Sequence, residues 1–252
     1  MAKNDQPLVM AEDFPLALAL LTRLPIHASR FDRGARAAWA YPLVGVMVGS
    51  LAAMAGLIAF WLGLPTAVTA LISLSFLTVL TGAMHEDGLA DSADGLWGGW
   101  DRARRLEIMK DSHIGSYGVL ALLFSFTARW AALWTLFNSG AGLAFIGILA
   151  AATLSRAPLP ALMATLPNAR NAGLSHATGR PSARTAWLAI VIATGLAVLL
   201  LGFSGIGAVV WAGLAALSVA LIARAKIGGQ TGDILGACQQ VTEITVLFTL
   251  IT

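Results

Sequence analysis

The chain has 252 residues, of which 58% are hydrophobic and only 12% charged, with a formal net charge of +3. A water-soluble domain carries about a quarter charged residues, and a disordered chain is poor in apolar ones, so this composition excludes both and indicates a polytopic membrane protein. A single cysteine, Cys238, excludes an internal disulfide and a cysteine-based zinc site.

In chain order, Phe14–Ile26 is apolar but shorter than the roughly 20 residues that cross a hydrocarbon core of about 30 Å. It follows Glu12 and Asp13 rather than a basic stretch and has no small-residue cleavage site. It therefore reads as a segment at, or dipping into, the interface and not as a cleavable leader. No charge occurs between Arg36 and His85, a run long enough for two spans, 39–62 and 66–84, broken at Gly63-Leu64-Pro65. Gly45 and Gly49 stand four residues apart in the first, as on a helix-packing face. The third span covers 117–137 and contains Arg129. The fourth covers 141–155, followed by Pro158, Pro160 and a broken continuation to Leu166. The fifth and sixth cover 186–202 and 206–223. A seventh begins near 234 and contains Glu243.

Apart from Arg129, every Lys and Arg lies before the first span or after the second, fourth or sixth, and the turns at 63–65, 138–140 and 203–205 carry none. By the positive-inside rule, alternate connections face the cytoplasm, beginning with residues 1–36. The expectation is one all-α membrane domain over 1–252, a bundle of about seven transmembrane helices with the N-terminus cytoplasmic and the C-terminus outside.

The chemistry concentrates in 85–116, which holds seven of the 13 acidic residues. On a helix, Asp87, Asp91 and Asp94 occupy i, i+4 and i+7 and share one side. Three carboxylates on one stripe repel unless a cation sits among them, and hard oxygen ligands suit Mg²⁺ or Mn²⁺. Glu86, about a quarter turn away, would be a peripheral ligand. A merely solvated acidic face is the alternative, but it gives no reason for the helix-weakening Gly88 and Gly95.

Arg102, Arg104, Arg105 and Lys110 follow directly. Cations beside a metal-binding carboxylate cluster are equipment for a pyrophosphate, and Arg156, at the cytoplasmic end of the fourth span, can face the same site. As membrane anchors these cations would need no acidic neighbours. No P-loop or dinucleotide-binding glycine motif is present. In 226–236, Gly228, Gly229 and Gly232 make a loop whose amides can cup an anion, and Asp233 reads as the N-cap of the seventh helix. Arg129 and Glu243 both lie roughly 15–18 Å from the cytoplasmic face at about 1.5 Å per residue, so they are expected to pair inside the membrane. His27, His85, His113 and His176 have no metal-ligand spacing, although His85 and His113 can reach a substrate.

Asp87-Gly-Leu-Ala-Asp-Ser-Ala-Asp-Gly95, Arg105-Leu-Glu-Ile-Met-Lys-Asp-Ser-His-Ile-Gly115 and Gly228-Gly-Gln-Thr-Gly-Asp-Ile-Leu-Gly236 resemble the signature segments of the adenosylcobinamide-GDP ribazoletransferase (cobalamin synthase) family. Thr22-Arg-Leu-Pro25 and Tyr41-Pro-Leu-Val-Gly45 are similar to that family too, and the resemblance runs in order along nearly the whole chain.

The resemblance implies a Mg²⁺-dependent transferase of late cobalamin biosynthesis in the bacterial inner (cytoplasmic) membrane. Such an enzyme joins adenosylcobinamide-GDP to α-ribazole or its 5′-phosphate, releasing GMP. Asp87, Asp91 and Asp94 would hold the metal, the nearby Arg and Lys would steady the phosphates, and Asp111 or Asp233 would take the proton of the attacking hydroxyl. The expected partners are the two substrates and the bilayer, with no nucleic acid; self-association stays open. Asp91-x-x-Asp94-Gly95 is also similar to the opening of the CDP-alcohol phosphotransferase motif, whose remaining residues are missing here. A cation-coupled transporter is a third reading, but it would place its carboxylates at the midplane of several helices, not at one border.

Overall fold

The computed structural model describes residues 7–26 and 32–252; Lys3, His27 and Arg30 lie outside them. In chain order the helices are α1 (Asp13–Leu21), α2 (Tyr41–Trp61), α3 (Thr66–Thr81), α4 (Met84–Gly98), α5 (Arg102–Ile108) and α6 (Ser116–Ser139). They continue as α7 (Ala141–Leu154), α8 (Pro158–Thr165), α9 (Leu174–Thr178), α10 (Ala183–Leu201), α11 (Ser204–Ile227) and α12 (Gly232–Thr249), with a 3₁₀ turn, Gly34–Ala40, leading into α2. Local chemistry sets several boundaries. Pro42 and Pro158 sit in first turns, where a missing N–H costs nothing. Asp101, Ser182 and Thr231 cap α5, α10 and α12 by accepting a main-chain N–H three residues on.

Among the described residues, five stretches are long and apolar enough to cross a membrane: 34–61, Ser116–Ser139, Ala141–Thr165, Ala183–Leu201 and Ser204–Ile227. α3 and α4 meet the same criterion only when taken together, as a pair bent by 85° that forms either a broken span or a re-entrant loop. At the bend Gly82 (φ +65°) and Ala83 (φ +57°) are both left-handed, a conformation that costs an alanine energy. Large apolar side chains such as Phe124, Leu199 and Phe203 stand exposed around the bundle, as a lipid-facing surface requires. Gly49 of α2 meets α7 as a packing face should: a Cβ there would lie 3.0 Å from Ala152 Cβ and 3.2 Å from Leu149 Cα.

One element differs from expectation. The expected seventh span, α12, is an 18-residue helix, but Gln239, Gln240 and Glu243 make it too polar to qualify on length and composition. It packs against α4, α6, α7, α8 and α11 rather than facing lipid, so its polar side chains are satisfied by protein. Its far end still runs deep: a Cβ on Gly147 of α7 would meet Leu250 Cδ1 at 3.5 Å.

The segment expected at or dipping into the interface, α1, packs against the core through Leu16, Ala17, Leu18 and Leu21. It is fixed there by buried Asp13, which accepts from Arg33 Nε at 2.7 Å, Arg33 Nη2 at 2.6 Å and Trp39 Nε1 at 2.7 Å. Burial alone would raise the Asp13 carboxyl; these donors and the Met10 N–H hold it below the ordinary carboxylate value.

Candidate active site

The site is built where α4 crosses α12. A Cβ on Gly88 would lie 2.8 Å from Asp233 O and 3.1 Å from Gly236 Cα, and one on Gly236 would lie 3.1 Å from Gly88 Cα. Only glycine at both positions lets the two backbones touch. The glycine at 88 is thus needed for the close approach of another helix, which sets Asp233 beside the acidic turn of α4.

The predicted metal ligands separate into two groups. Asp87 is exposed and lines a cavity of about 490 Å³ together with Arg23, Thr81, Gly82 and Ala83. Asp91, half-buried, lies within electrostatic reach of Asp87, Asp233, Asp94 and Arg170. Asp94 is instead a helix cap: its Oδ2 accepts from Gly115 N at 2.7 Å and its Oδ1 from Gly118 N at 2.9 Å, anchoring the start of α6. Glu86 turns into the bundle and pairs with Arg129 at 3.0 Å. A stripe of shared azimuth does not keep side chains at one site, because seven residues of helix are about 10 Å. Among the described residues no three His, Cys, Asp or Glu groups form a ready-made metal cage. Mg²⁺, however, commonly takes one or two carboxylates and completes its shell with water and substrate phosphate, so Asp87 and Asp91 fit that ion.

Thr231, not Asp233, is the N-cap of α12; its Oγ1 accepts from Ile234 N at 3.3 Å. Asp233 stands in the first turn, where its Oδ2 accepts from Arg170 Nη2 at 2.6 Å and Thr231 Oγ1 at 3.2 Å. Arg170 comes from the 167–173 loop, which pairs with the glycine segment: Ala169 N donates to Gln230 O and Gln230 N to Pro167 O, both at 2.8 Å. Part of the glycine loop is thus engaged by protein. Gln230 N–H bonds the neighbouring loop and Gly228 N–H closes α11 on Arg224 O.

Most of the predicted phosphate-binding cations have other work. Arg102 donates to Ile227 O at 2.8 Å and Ala169 O at 3.0 Å, clamping both loops. Arg105 donates to Gly99 O at 2.9 Å and Lys226 O at 3.0 Å. The carbonyls of Gly99, Lys226 and Ile227 are left over at helix ends, and guanidinium donors satisfy them. Arg104 makes an exposed pair with Glu107 at 2.8 Å. Lys110 is exposed on the loop after α5. Arg156 is buried and donates to Ala152 O at 2.8 Å. The cations nearest the acidic groups are instead Arg170, bonded to Asp233, and Arg23, which lines the Asp87 cavity; charge spacing singled out neither, although Arg23 lies in the family-like segment Thr22-Arg-Leu-Pro25.

Asp111 lies apart from Asp233. It lines an open cavity of about 340 Å³ with Asp94, His113 and Tyr117. Its Oδ1 accepts from His113 N at 3.1 Å and faces His113 Nδ1 at 2.7 Å; these bonds hold its carboxyl below the ordinary range. That makes it a weaker proton acceptor.

Inside the bundle, Arg129 Nη1 meets Glu243 Oε1 at 3.2 Å, and Arg129 Nη2 meets Glu86 Oε1. Gln239 donates to Glu243 Oε2 at 2.6 Å, Gln240 to Glu86 Oε1 at 3.2 Å and Ser125 to Gln240 Oε1 at 2.9 Å. The expected intramembrane pair is thus part of a network tying α4, α6 and α12.

The family model for cobalamin-5-phosphate synthase matches residues 13–251. The chain belongs to that family. Among curated relatives, the adenosylcobinamide-GDP ribazoletransferase of Bradyrhizobium diazoefficiens is 43% identical over 239 residues, covering 93% of this chain and 91% of its own. The proteins of that name from Azorhizobium caulinodans and Mesorhizobium japonicum are 43% and 41% identical, covering 93% and 96% of this chain and 93% of their own length each. No solved structure matches the chain. The matched stretch contains α4, the 167–173 loop and α12, so every group at the crossing lies within the family region.

Proposed function

We propose that this chain is a Mg²⁺-dependent transferase of the bacterial inner membrane that joins adenosylcobinamide-GDP to α-ribazole or its 5′-phosphate. The observation that carries this reading is the convergence of Asp87, Asp91 and Asp233 with Arg170 at the basic end of an apolar bundle, in a chain whose relatives are named ribazoletransferases. The basic residues at that end support a cytoplasmic site and a cytoplasmic N-terminus.

A free ribose hydroxyl of the acceptor attacks the cobinamide-side phosphorus of the pyrophosphate and gives up its proton, a new P–O bond forms, and the bond to GMP breaks. Asp87 and Asp91 would hold the metal, which when bound supplies positive charge against the pyrophosphate oxygens. Both hydrogen bonds to Asp233 fall on Oδ2, and Oδ1 is the atom assigned to take the acceptor's proton. Arg170 holds Asp233 in place and adds a cation beside the leaving GMP. Arg23, at the mouth of the Asp87 cavity, suits a second phosphate.

The test is GMP release by detergent-purified protein given adenosylcobinamide-GDP and α-ribazole. Release that requires both the acceptor and Mg²⁺, and stops with EDTA, is the expected result. No GMP from folded protein, with CMP appearing instead from a CDP-alcohol and a lipid acceptor, would overturn it in favour of a CDP-alcohol phosphotransferase.

A further inference from the structure

The open cavity beside Asp111 has no part in the reaction above. It holds about 340 Å³, a volume typical of small-ligand sites, and Gly98, Asp111, Ile114 and Tyr117 are among its walls. Its relation to the carboxylate cluster follows from α4. Asp87, Asp91, Asp94 and Gly98 recur at i, i+4, i+7 and i+11 and so share one side of that helix. Asp87 and Gly98 are exposed and Asp91 is half-buried. An open strip therefore runs along α4 from the proposed metal ligands to this cavity. Asp91 and Gly98 lie about 10 Å apart along the helix, a separation that matches the reach of a nucleotide from its phosphate to its base.

The walls define which base fits. Asp94, also in the cavity, is already engaged, since each of its oxygens accepts a main-chain N–H from the start of α6. Asp111 is not. Its hydrogen bonds from His113 N and Nδ1 both fall on Oδ1, and among the described residues none falls on Oδ2. The same bonds keep this carboxyl ionised at neutral pH, so it can only accept. Tyr117 and Ile114, both exposed, add an aromatic ring and an apolar side chain against which a flat heterocycle can stack. An acceptor-only group beside such a wall suits a ring with two adjacent N–H donors. Guanine presents that pair as N1–H and N2–H₂, whereas adenine turns a ring lone pair to the same place and is repelled. We propose that this cavity seats the guanine of the donor nucleotide, with Asp111 accepting from N1–H and N2–H₂ and Tyr117 stacking on the ring; that the donor carries GDP rests on the function proposed above. His113 is a positioning residue that holds Asp111.

The experiment compares wild type, Asp111→Asn, Tyr117→Ala and Tyr117→Phe, each as the full chain in detergent with Mg²⁺. Both positions are exposed, so these variants leave the core intact. Kd is measured by calorimetry for GMP and for IMP, which lacks only the 2-amino group. KM for adenosylcobinamide-GDP and for α-ribazole is read from GMP release. Wild type should bind GMP about tenfold more tightly than IMP. Asp111→Asn should weaken GMP binding by about tenfold and bring the two nucleotides within about twofold of each other. Tyr117→Ala should weaken both nucleotides alike, by about fivefold or more, and Tyr117→Phe should match wild type. KM for adenosylcobinamide-GDP should rise with Kd for GMP, while KM for α-ribazole stays within about twofold. A preference for GMP over IMP that is missing from wild type, or unchanged in Asp111→Asn, would overturn the subsite. So would affinities that Tyr117→Ala leaves unmoved, the mark of a ring that only meets the membrane interface. Each of these results leaves wild-type GMP release, and with it the transferase reading, intact; a wild type that releases no GMP overturns that reading itself.

Discussion

Glu86 and Asp87 are neighbours on α4, and Asp233 and Glu243 share α12, yet the two regions they form behave in opposite ways. Glu86 and Glu243 lie in the bundle interior with Arg129 between them and Arg156 within electrostatic reach, a set of two carboxylates and two guanidiniums that balances its own charge. Asp87, Asp91 and Asp233 gather at the basic end around Arg170, where carboxylates outnumber their cationic partner. A rotation of about 100° along the helix sends one carboxylate inward and the next outward. The difference teaches that a self-neutralised cluster holds helices together, whereas one with surplus negative charge has valence left for a divalent ion and its phosphate ligand.

The sharpest way to break this comparison is to remove one carboxylate from the unbalanced cluster. Asp91→Asn should lower GMP release by on the order of 10³-fold, with the thermal unfolding midpoint in detergent close to wild type; retained turnover would sink the metal assignment. The reverse pattern is expected of the balanced cluster. Arg129→Leu strands two buried carboxylates and should cost about 3–5 kcal/mol, read as a large drop in the unfolding midpoint and a poor yield of folded protein.

Asp94 tests whether membership of the acidic stripe or local contact decides a residue's role. As a cap on α6 it predicts that Asp94→Ala costs about 1–2 kcal/mol of stability. Asp94→Asn, which keeps an acceptor oxygen, should retain more activity than Asp91→Asn in the same release assay. The smallest effect concerns Asp13, a buried carboxylate paired like those of the interior. Its folded value lies below the ordinary 3.8, so its stabilisation is present at and above about pH 5 and fades as pH falls through the folded value. The gap in unfolding midpoint between wild type and Asp13→Asn should therefore be constant at neutral pH and narrow in acid. A gap that widens in acid would contradict the pairing.

Much of the bundle was legible in the sequence because its signals are local. Uncharged runs, Gly63-Leu64-Pro65 and Pro158/Pro160 put the breaks between helices where they occur, and matching depths along two helices were enough to pair Arg129 with Glu243. The candidate site was legible only in part. The acidic segment and the glycine–aspartate segment were recognisable, but Arg102 and Arg105, adjacent to the acids in sequence, turn to main-chain carbonyls. Arg170 and Arg23, distant in sequence, stand in their place. Nothing in the spacing of Gly88 or Gly236 reveals that they face each other.

By itself, then, the sequence determined the membrane class, the helices, the basic end of the bundle and the family, since hydropathy, turn residues and charge act over a few neighbouring positions. Which carboxylates are free, which arginines face them and where α12 runs were decided by tertiary structure. Those outcomes depend on two helices crossing at a pair of glycines, and on polar groups finding partners more than 100 residues away once water is excluded.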